Sequence, residues 1–163
     1  MEFTNYFCYI TSGLEIIGDE VFSVCRNLTN VVIPNSVKSI GRNAFDGCEA
    51  LSSASIPNSV TLMGSAVFKS CERLATVTLG TGITTIPEST FWGCKSLVTV
   101  IVPEGYREIG SLAFAGCNVL TDVTIPESVV AIEFERYEHW GSFVENLDVL
   151  ELFGNLSFRT TSA

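Results

Sequence analysis

Apolar residues return to fixed places in this chain, and each return implies the same short set of elements. The stretch Leu28-x-x-Val31-x-Ile33 alternates apolar and polar positions. That alternation predicts a short strand, with Val31 and Ile33 facing inward and Asn30 and Val32 facing out. Pro34 closes the strand because proline cannot donate to a ladder. Pro57, Pro103 and Pro126 stand in the same place, and Gly80 replaces them in the middle repeat. Val37 and Ile40 bring apolar side chains inward again. Gly41 is expected to permit a sharp backbone turn. The run Ala44-Phe45-Asp46-Gly47-Cys48 then predicts one short helical turn that delivers Phe45 and Cys48 to the core.

The unit recurs every 23 residues, in columns at Cys25, Cys48, Cys71, Cys94 and Cys117, at Phe22, Phe45, Phe68, Phe91 and Phe114, and at Leu28, Leu51, Leu74, Leu97 and Leu120. Such a period is the mark of a stacked repeat. One coil cannot bury its apolar side alone. Coils stacked at about 4.8 Å let strands hydrogen-bond and place like residues over like. The expected fold is therefore an α/β repeat. It is a right-handed solenoid with one parallel β-sheet face and short helical or 3₁₀ turns opposite, in about six or seven coils. The Phe column becomes a buried ladder.

The chain is read as one domain, 1–163. An N-terminal partial coil covers 1–27, regular repeats cover 28–132, and an atypical cap covers 133–163. Backwards, Ile10, Leu14, Ile17, Gly18 and Phe22 keep register, so a first strand is expected near Phe7–Ile10, with Cys8 in the place of Val31. Forwards, Val129 and Ile132 keep register and then the pattern slips by four residues before Leu147. Phe134, Tyr137 and Trp140 are spaced for one face of a capping helix. Gly154-Asn155 suits a hairpin turn, with a returning strand at Leu156–Arg159 that would blunt the last edge.

Composition narrows the functional classes. The 163 residues are 47% hydrophobic and 17% charged, with a mean hydropathy of +0.37, yet the apolar residues are spread evenly. No run approaches the roughly 18 apolar residues of a membrane helix, so no membrane insertion is expected. A net charge of −9, from 9 basic and 18 acidic residues, would repel a polyanion and argues against nucleic acid. The segment Met1–Cys8 has neither a basic n-region nor a long apolar h-region and is not read as a secretory signal.

The unit C-x-x-L-x-x-V-x-I-P-x-x-V-x-x-I-G-x-x-A-F-x-G-C closely resembles the BspA-type leucine-rich repeat. The likeness is carried by Ile33-Pro34-Asn35-Ser36-Val37, Ile40-Gly41, Ala44-Phe45 and Gly47-Cys48-Glu49-Ala50-Leu51. It recurs at Ile56-Pro57-Asn58-Ser59-Val60 and at Ile109-Gly110 with Ala113-Phe114-Ala115-Gly116-Cys117, and spans roughly residues 10–132. The resemblance implies a leucine-rich repeat solenoid. It also implies a cell-surface or secreted setting and an adhesion or protein-binding role, with no cofactor.

Candidate chemistry is sparse. Zinc ligands usually come as close pairs such as C-x-x-C, and none occurs, so no metal site is expected. Disulfides between neighbouring coils stay open, because stacked Cα atoms fall near the usual span of roughly 4.4–6.8 Å. A column of five cannot pair completely, which favours buried free thiols acting as small apolar side chains. His139, the one histidine, lies in the C-terminal insertion without a Gly-x-Ser-x-Gly elbow, so no enzyme is expected. Glu133, Glu135, Glu138 and Glu145 read as the solvated face of the cap. The Asn27 and Asn155 sequons carry weight only in a glycosylating compartment.

The outward strand positions carry the functional reading. They are Phe7 with Tyr9, Asn30 with Val32, Ser53 with Ser55, Thr76 with Thr78, Thr99 with Ile101 and Asp122 with Thr124, continuing to Val149 with Glu151. Threonine and serine suit exposed strands in any case. Repeat stacks also use such sheets to bind proteins. A regular hydroxyl array can match an ice lattice, but Asn30, Asp122 and the apolar interruptions break this one. The leading expectation is a non-catalytic protein-binding module, with a structural spacer of a larger surface protein as the rival. Phe7 and Tyr9 would be an aromatic anchor, and the terminal coils offer a route to self-association.

Overall fold

Each repeat places its β-branched and hydroxyl residues in one longer strand and a two-residue strand after the corner. The structure, a computed structural model, describes residues 6–133, and for Tyr6–Tyr9 the backbone alone. Twelve strands follow in order: β1 (Tyr6–Tyr9), β2 (Ile16–Ile17), β3 (Leu28–Val32), β4 (Ser39–Ile40), β5 (Ser53–Ser55), β6 (Leu62–Met63), β7 (Thr76–Thr78), β8 (Thr85–Ile86), β9 (Thr99–Ile101), β10 (Glu108–Ile109), β11 (Asp122–Thr124) and β12 (Ala131–Ile132). Each odd strand with the even strand after it makes one coil, so Phe45 belongs to the second coil and Phe68 to the third. The 128 described residues, at 23 per turn, form a parallel-sheet solenoid of between five and six turns. The six or seven expected included residues 134–163, which lie outside the described residues, as do the positions read as a capping helix, a hairpin turn and a returning strand.

Pairing is parallel and in the register the period demands. Ser53 lies against Thr76, Ala54 against Val77 and Ser55 against Thr78. Phe7 pairs with Asn30, Cys8 with Val31 and Tyr9 with Val32. The expected parallel face is present, divided into short ladders. The odd strands form three two-stranded ladders, β1–β3, β5–β7 and β9–β11, set side by side along one wall. The even strands form a second file, β2–β4–β6 and β8–β10–β12, on the next wall.

The wall carrying Phe45 and Cys48 differs from expectation. No helix occurs among the described residues. The physical reason lies in two columns of left-handed residues. One holds Glu20, Asn43, Ala66, Ser89 and Leu112 at φ of 58°, 52°, 56°, 55° and 57°. The other holds Val24, Gly47, Ser70, Gly93 and Gly116 at 60°, 71°, 56°, 74° and 73°. Two left-handed residues four apart bracket Phe45, and a right-handed helix cannot propagate through them. Alternate N–H groups leave the turn instead. Asn43, Phe45 and Gly47 donate to the carbonyls of Ser65, Val67 and Lys69 one coil on, at 3.0, 2.9 and 2.8 Å. The same three-rung pattern links the first coil to the second, the third to the fourth and the fourth to the fifth. The turn wall is thus a third inter-coil ladder. It satisfies backbone groups that a buried corner would otherwise leave unpaired.

Gly41 serves a purpose other than turning. A Cβ there would lie 2.4 Å from the Asp19 amide nitrogen, so the glycine is needed for close approach of two coils. Inside, Val37, Ile40, Phe45, Leu51, Val60, Phe68, Leu74 and Leu97 are buried, one column over another. The five Phe rings stack with centroids 5.1, 5.4, 5.9 and 5.6 Å apart and planes within 8° of parallel. The in-register spacing of the coils fixes that geometry, and each inner ring is sandwiched between two others.

Candidate functional site

The odd-strand wall presents its outward side chains as the alternation predicts. Val31, Ala54, Val100 and Val123 are buried and Val77 is half-buried, while Val32, Ser55, Thr76, Thr78, Thr99, Ile101, Asp122 and Thr124 are exposed. Asn30 and Ser53 are half-buried. They line a shallow groove at the seam between β3 and β5, with Val32, Ser55, Thr76 and Thr78 also on its walls. The backbone of Phe7 and Tyr9 continues this wall beside β3, while their side chains, the expected aromatic anchor, lie outside the described residues. Val149 and Glu151 lie outside the described residues as well.

A contrast in hydrogen bonding separates this wall from the corners. On the corners, polar side chains tie one coil to the next. Asp19 Oδ1 accepts from the Arg42 N–H at 2.7 Å, and Asn58 Oδ1 accepts from the Thr81 N–H at 2.9 Å. Ser36 Oγ accepts from the Gly13 N–H and donates to the Leu14 carbonyl. On the sheet wall, the side chains of Asn30, Ser53, Ser55, Thr76, Thr78, Thr99, Asp122 and Thr124 make no hydrogen bond to any described residue. Their donors and acceptors face solvent.

The five cysteines of the column are unpaired, and their contacts are with the neighbouring coil. Cys25, Cys48, Cys71, Cys94 and Cys117 are all free, and only Cys25 is exposed. The thiols of Cys48, Cys71, Cys94 and Cys117 donate to the carbonyls of Phe22, Phe45, Phe68 and Phe91, each at 3.2 Å. Phe45 O already accepts the Cys48 N–H, so the next coil's thiol fills its remaining lone-pair direction. The column is therefore more than small apolar filler: it repeats because it completes the Phe carbonyl. Burial pushes the Cys48 and Cys117 thiols up to about 12, and an adjacent thiol adds to the rise at Cys48. Cys71 and Cys94 are raised further, again by burial first. No group of three His, Cys, Asp or Glu side chains gathers to hold a metal among the described residues.

Two features escaped the sequence reading. Tyr106 fills the Val37 column in the fifth coil, fully buried, and its hydroxyl donates to the Gly80 carbonyl at 2.8 Å. Burial raises its phenol above the usual range. Gly80 and Gly82 let their corner seat directly on the third coil's backbone. A Cβ at Gly80 would meet the Ile56 carbonyl at 2.6 Å, and one at Gly82 the Val60 carbonyl at 2.2 Å. The signal was present as paired departures from the repeat, Pro to Gly and Val to Tyr one coil apart.

The second feature is a polar groove on the turn wall, bordered by Arg42, Asp46, Ser65, Lys69 and Glu88. Lys69 Nζ sits 5.3 Å from the ring centre of Trp92. Burial raises the Asp46 carboxyl, with Lys69 opposing the rise and Glu20 adding to it. Here the signal was charge entering two columns, Asp19-Arg42-Ser65-Glu88-Ser111 and Ser23-Asp46-Lys69-Trp92-Ala115. His139 and the acidic run Glu135, Glu138 and Glu145 lie outside the described residues. No described helix is long and apolar enough to cross a membrane.

Comparison with known proteins matches this geometry to a family. A model of the BspA type leucine rich repeat region matches residues 15–141 in six copies. No curated protein matches the chain. Among solved structures, a leucine-rich repeat protein from Bacteroides ovatus superposes with a TM-score of 0.73 at 32% identity, over 77% of this chain and 33% of that one. A T. pallidum leucine-rich repeat protein gives 0.71 at 27% identity, over 79% and 70%. One from Eubacterium ventriosum gives 0.72 at 24% identity, over 83% and 45%, and supports the fold alone. The chain spans about one third of the length of the B. ovatus protein. With its periodic core, parallel ladders and matched repeats, the chain belongs to the BspA type leucine-rich repeat family.

Proposed function

We propose that this chain is a non-catalytic protein-binding module of the kind used in adhesion, and that it binds through the odd-strand wall. One observation carries the reading. The outward side chains of that wall stand in register on successive strands, exposed except for the half-buried Asn30 and Ser53, and their polar groups are left out of every internal hydrogen bond among the described residues. A wall that served only as a spacer has no reason to differ from the corners, where equivalent groups are tied between coils. The groove at the β3–β5 seam adds a concavity lined by Asn30, Ser53, Ser55, Thr76 and Thr78. Small hydroxyl and amide groups of this type give adaptable hydrogen bonding to a protein surface, and repeat stacks present such surfaces over many coils. Leucine-rich repeat proteins in general are interaction modules, which agrees with this reading.

The test uses the intact chain immobilised against a panel of purified extracellular-matrix proteins. Replacing Thr76, Thr78 and Thr99 together by lysine places three long cations on the wall. Binding seen with the original chain is expected to disappear in the triple variant. Retention at full strength by a folded triple variant would show that the wall is not the contact surface.

A further inference from the structure

The turn-wall groove lies on a different face, one coil beyond a contact that ties the first two coils together. At the boundary of the first and second coils, the Arg42 N–H donates to the Asp19 carboxylate at 2.7 Å. One coil further on, Ser65 occupies the place of Arg42 and Arg42 the place of Asp19 (each pair 23 apart). A guanidinium only donates, so it cannot accept from the amide above it. The Ser65 N–H has no acceptor among the described residues, and the same holds for the Glu88 and Ser111 N–H groups in the next two coils; what sets Ser65 apart is the pair of cations beside it. The place that a carboxylate fills at the previous boundary is here bordered by Arg42 and by Lys69. An open amide and two cations at one boundary form an acceptor-seeking cluster, and a carboxylate satisfies all three with charge-assisted hydrogen bonds.

We propose that this groove binds a carboxylate of a peptide, seated on the Ser65 N–H between Arg42 and Lys69. The internal precedent fixes the chemistry: an oxygen of a carboxylate, in the position Asp19 Oδ1 takes one coil earlier. Asp46 and Glu88 border the same groove. They repel a second negative charge, so the ligand carries one carboxylate rather than an acidic run. Nucleic acid, with a charge on every residue, is a poor fit. The groove spans the second to fourth coils, and the stacked-ring spacing of 5.4 and 5.9 Å makes that the length of a few extended residues. Trp92, beside Lys69, places an optical reporter at its rim.

The test is an amide-resolved NMR titration of the full chain with short blocked peptides. Acetyl-Gly-Glu-Gly-amide presents a side-chain carboxylate, and acetyl-Gly-Gly-Gly with a free end presents a terminal one. The Gln counterpart, amidated, presents neither. The Ser65 amide proton is expected to move downfield and saturate with at least one carboxylate peptide and to stay still with the Gln peptide. Which carboxylate peptide binds identifies the source. Arg42→Asp supplies an internal carboxylate where Asp19 supplies one. It should weaken binding by about tenfold or more while leaving the chain at least as resistant to heat. Lys69→Gln should weaken binding less and also shift Trp92 fluorescence. Should Arg42→Asp fail to fold, Lys69→Gln decides alone. A Ser65 amide indifferent to both carboxylate peptides overturns the proposal, as does a folded Arg42→Asp chain that titrates like the original.

Discussion

The turn wall and the odd-strand wall run the length of the same solenoid, yet they obey different rules. On the turn wall, five successive coils repeat Phe and Cys in their own columns. On the odd-strand wall, one outward column reads Asn30, Ser53, Thr76, Thr99 and Asp122, and the other Val32, Ser55, Thr78, Ile101 and Thr124. The first wall is constrained from both sides. Each ring lies between two others, and each buried thiol completes the carbonyl of the Phe one coil before. The second wall is constrained only from beneath, by the buried Val31 column. Stability therefore resides in the buried columns, and the odd-strand wall is free to vary because its outward side chains enter no hydrogen bond among the described residues.

The largest expected effect sets the whole thiol column against water. Unfolded thiols ionise near 9, whereas the folded chain keeps Cys48 and Cys117 protonated up to about 12 and holds Cys71 and Cys94 higher still. In that window the unfolded state binds fewer protons than the folded one. Stability present below pH 9 is therefore lost as pH rises towards 12. Thermal unfolding followed by circular dichroism from about pH 7 to about pH 11 should show a steep fall, and a chain with Cys48, Cys71, Cys94 and Cys117 changed to alanine should fall less. Identical alkaline profiles for the two chains would remove the thiols from the account. At neutral pH, Cys25 should react with a thiol reagent long before the other four.

Truncation of one ring comes next. Phe68 is fully buried, with Phe45 at 5.4 Å on one side and Phe91 at 5.9 Å on the other. Phe68→Ala opens a cavity in the middle of the stack and should cost about 3–5 kcal/mol in denaturant unfolding. A loss below about 1 kcal/mol would mean that the coils close over the gap and that the column is not what holds them.

How much of this was legible in the sequence follows from the same distinction. The Phe and Leu columns were readable because burial holds one residue type through five coils, the Ile columns because only apolar residues (Met63, Leu79 and Val102 among them) fill them, and Val31 and Val32 sorted inward and outward by alternation alone. The turn itself was misread. Ala44-Phe45-Asp46-Gly47-Cys48 has helical spacing, but the left-handed backbone at Asn43 and Gly47 is set by hydrogen bonds to the next coil, which no single repeat reveals. Gly41 was read as a turn former when its lack of a Cβ serves the approach of a neighbouring coil. Alternation put Val32, Ser55, Thr76, Thr78, Thr99, Ile101, Asp122 and Thr124 on the outward side, where they are exposed, because period 2 decides that, while Asn30 and Ser53 are half-buried. The turn-wall groove was missed because its cluster exists only across coils: Arg42 and Lys69 are 27 positions apart in the chain.

A smaller effect tests the one corner where the repeat departs from itself. The Tyr106 hydroxyl is the partner of the buried Gly80 carbonyl. Tyr106→Phe keeps the ring but strands that carbonyl, and should cost about 1–3 kcal/mol. Tyr106→Val restores the residue type of Val37, Val60 and Val129, yet should be worse, because it also leaves a cavity. If Tyr106→Val is the more stable of the two, the corner collapses readily and the tyrosine is incidental.

The smallest effect on folding belongs to the odd-strand wall, and it gives the sharpest test of the contrast. Thr76, Thr78 and Thr99 are exposed, and their hydroxyls bond to no described residue. Lysine at all three removes β-branched side chains from exposed strands, a change of about 0.5 kcal/mol or less at each site. The net charge moves from −9 to about −6, which relieves self-repulsion slightly and offsets part of that loss. The thermal midpoint should therefore hardly move, while binding to a protein partner is lost. A large drop in the midpoint would mean that these threonines support the ladders, and the division between a stabilising wall and a recognising wall would fail at the point where it claims most.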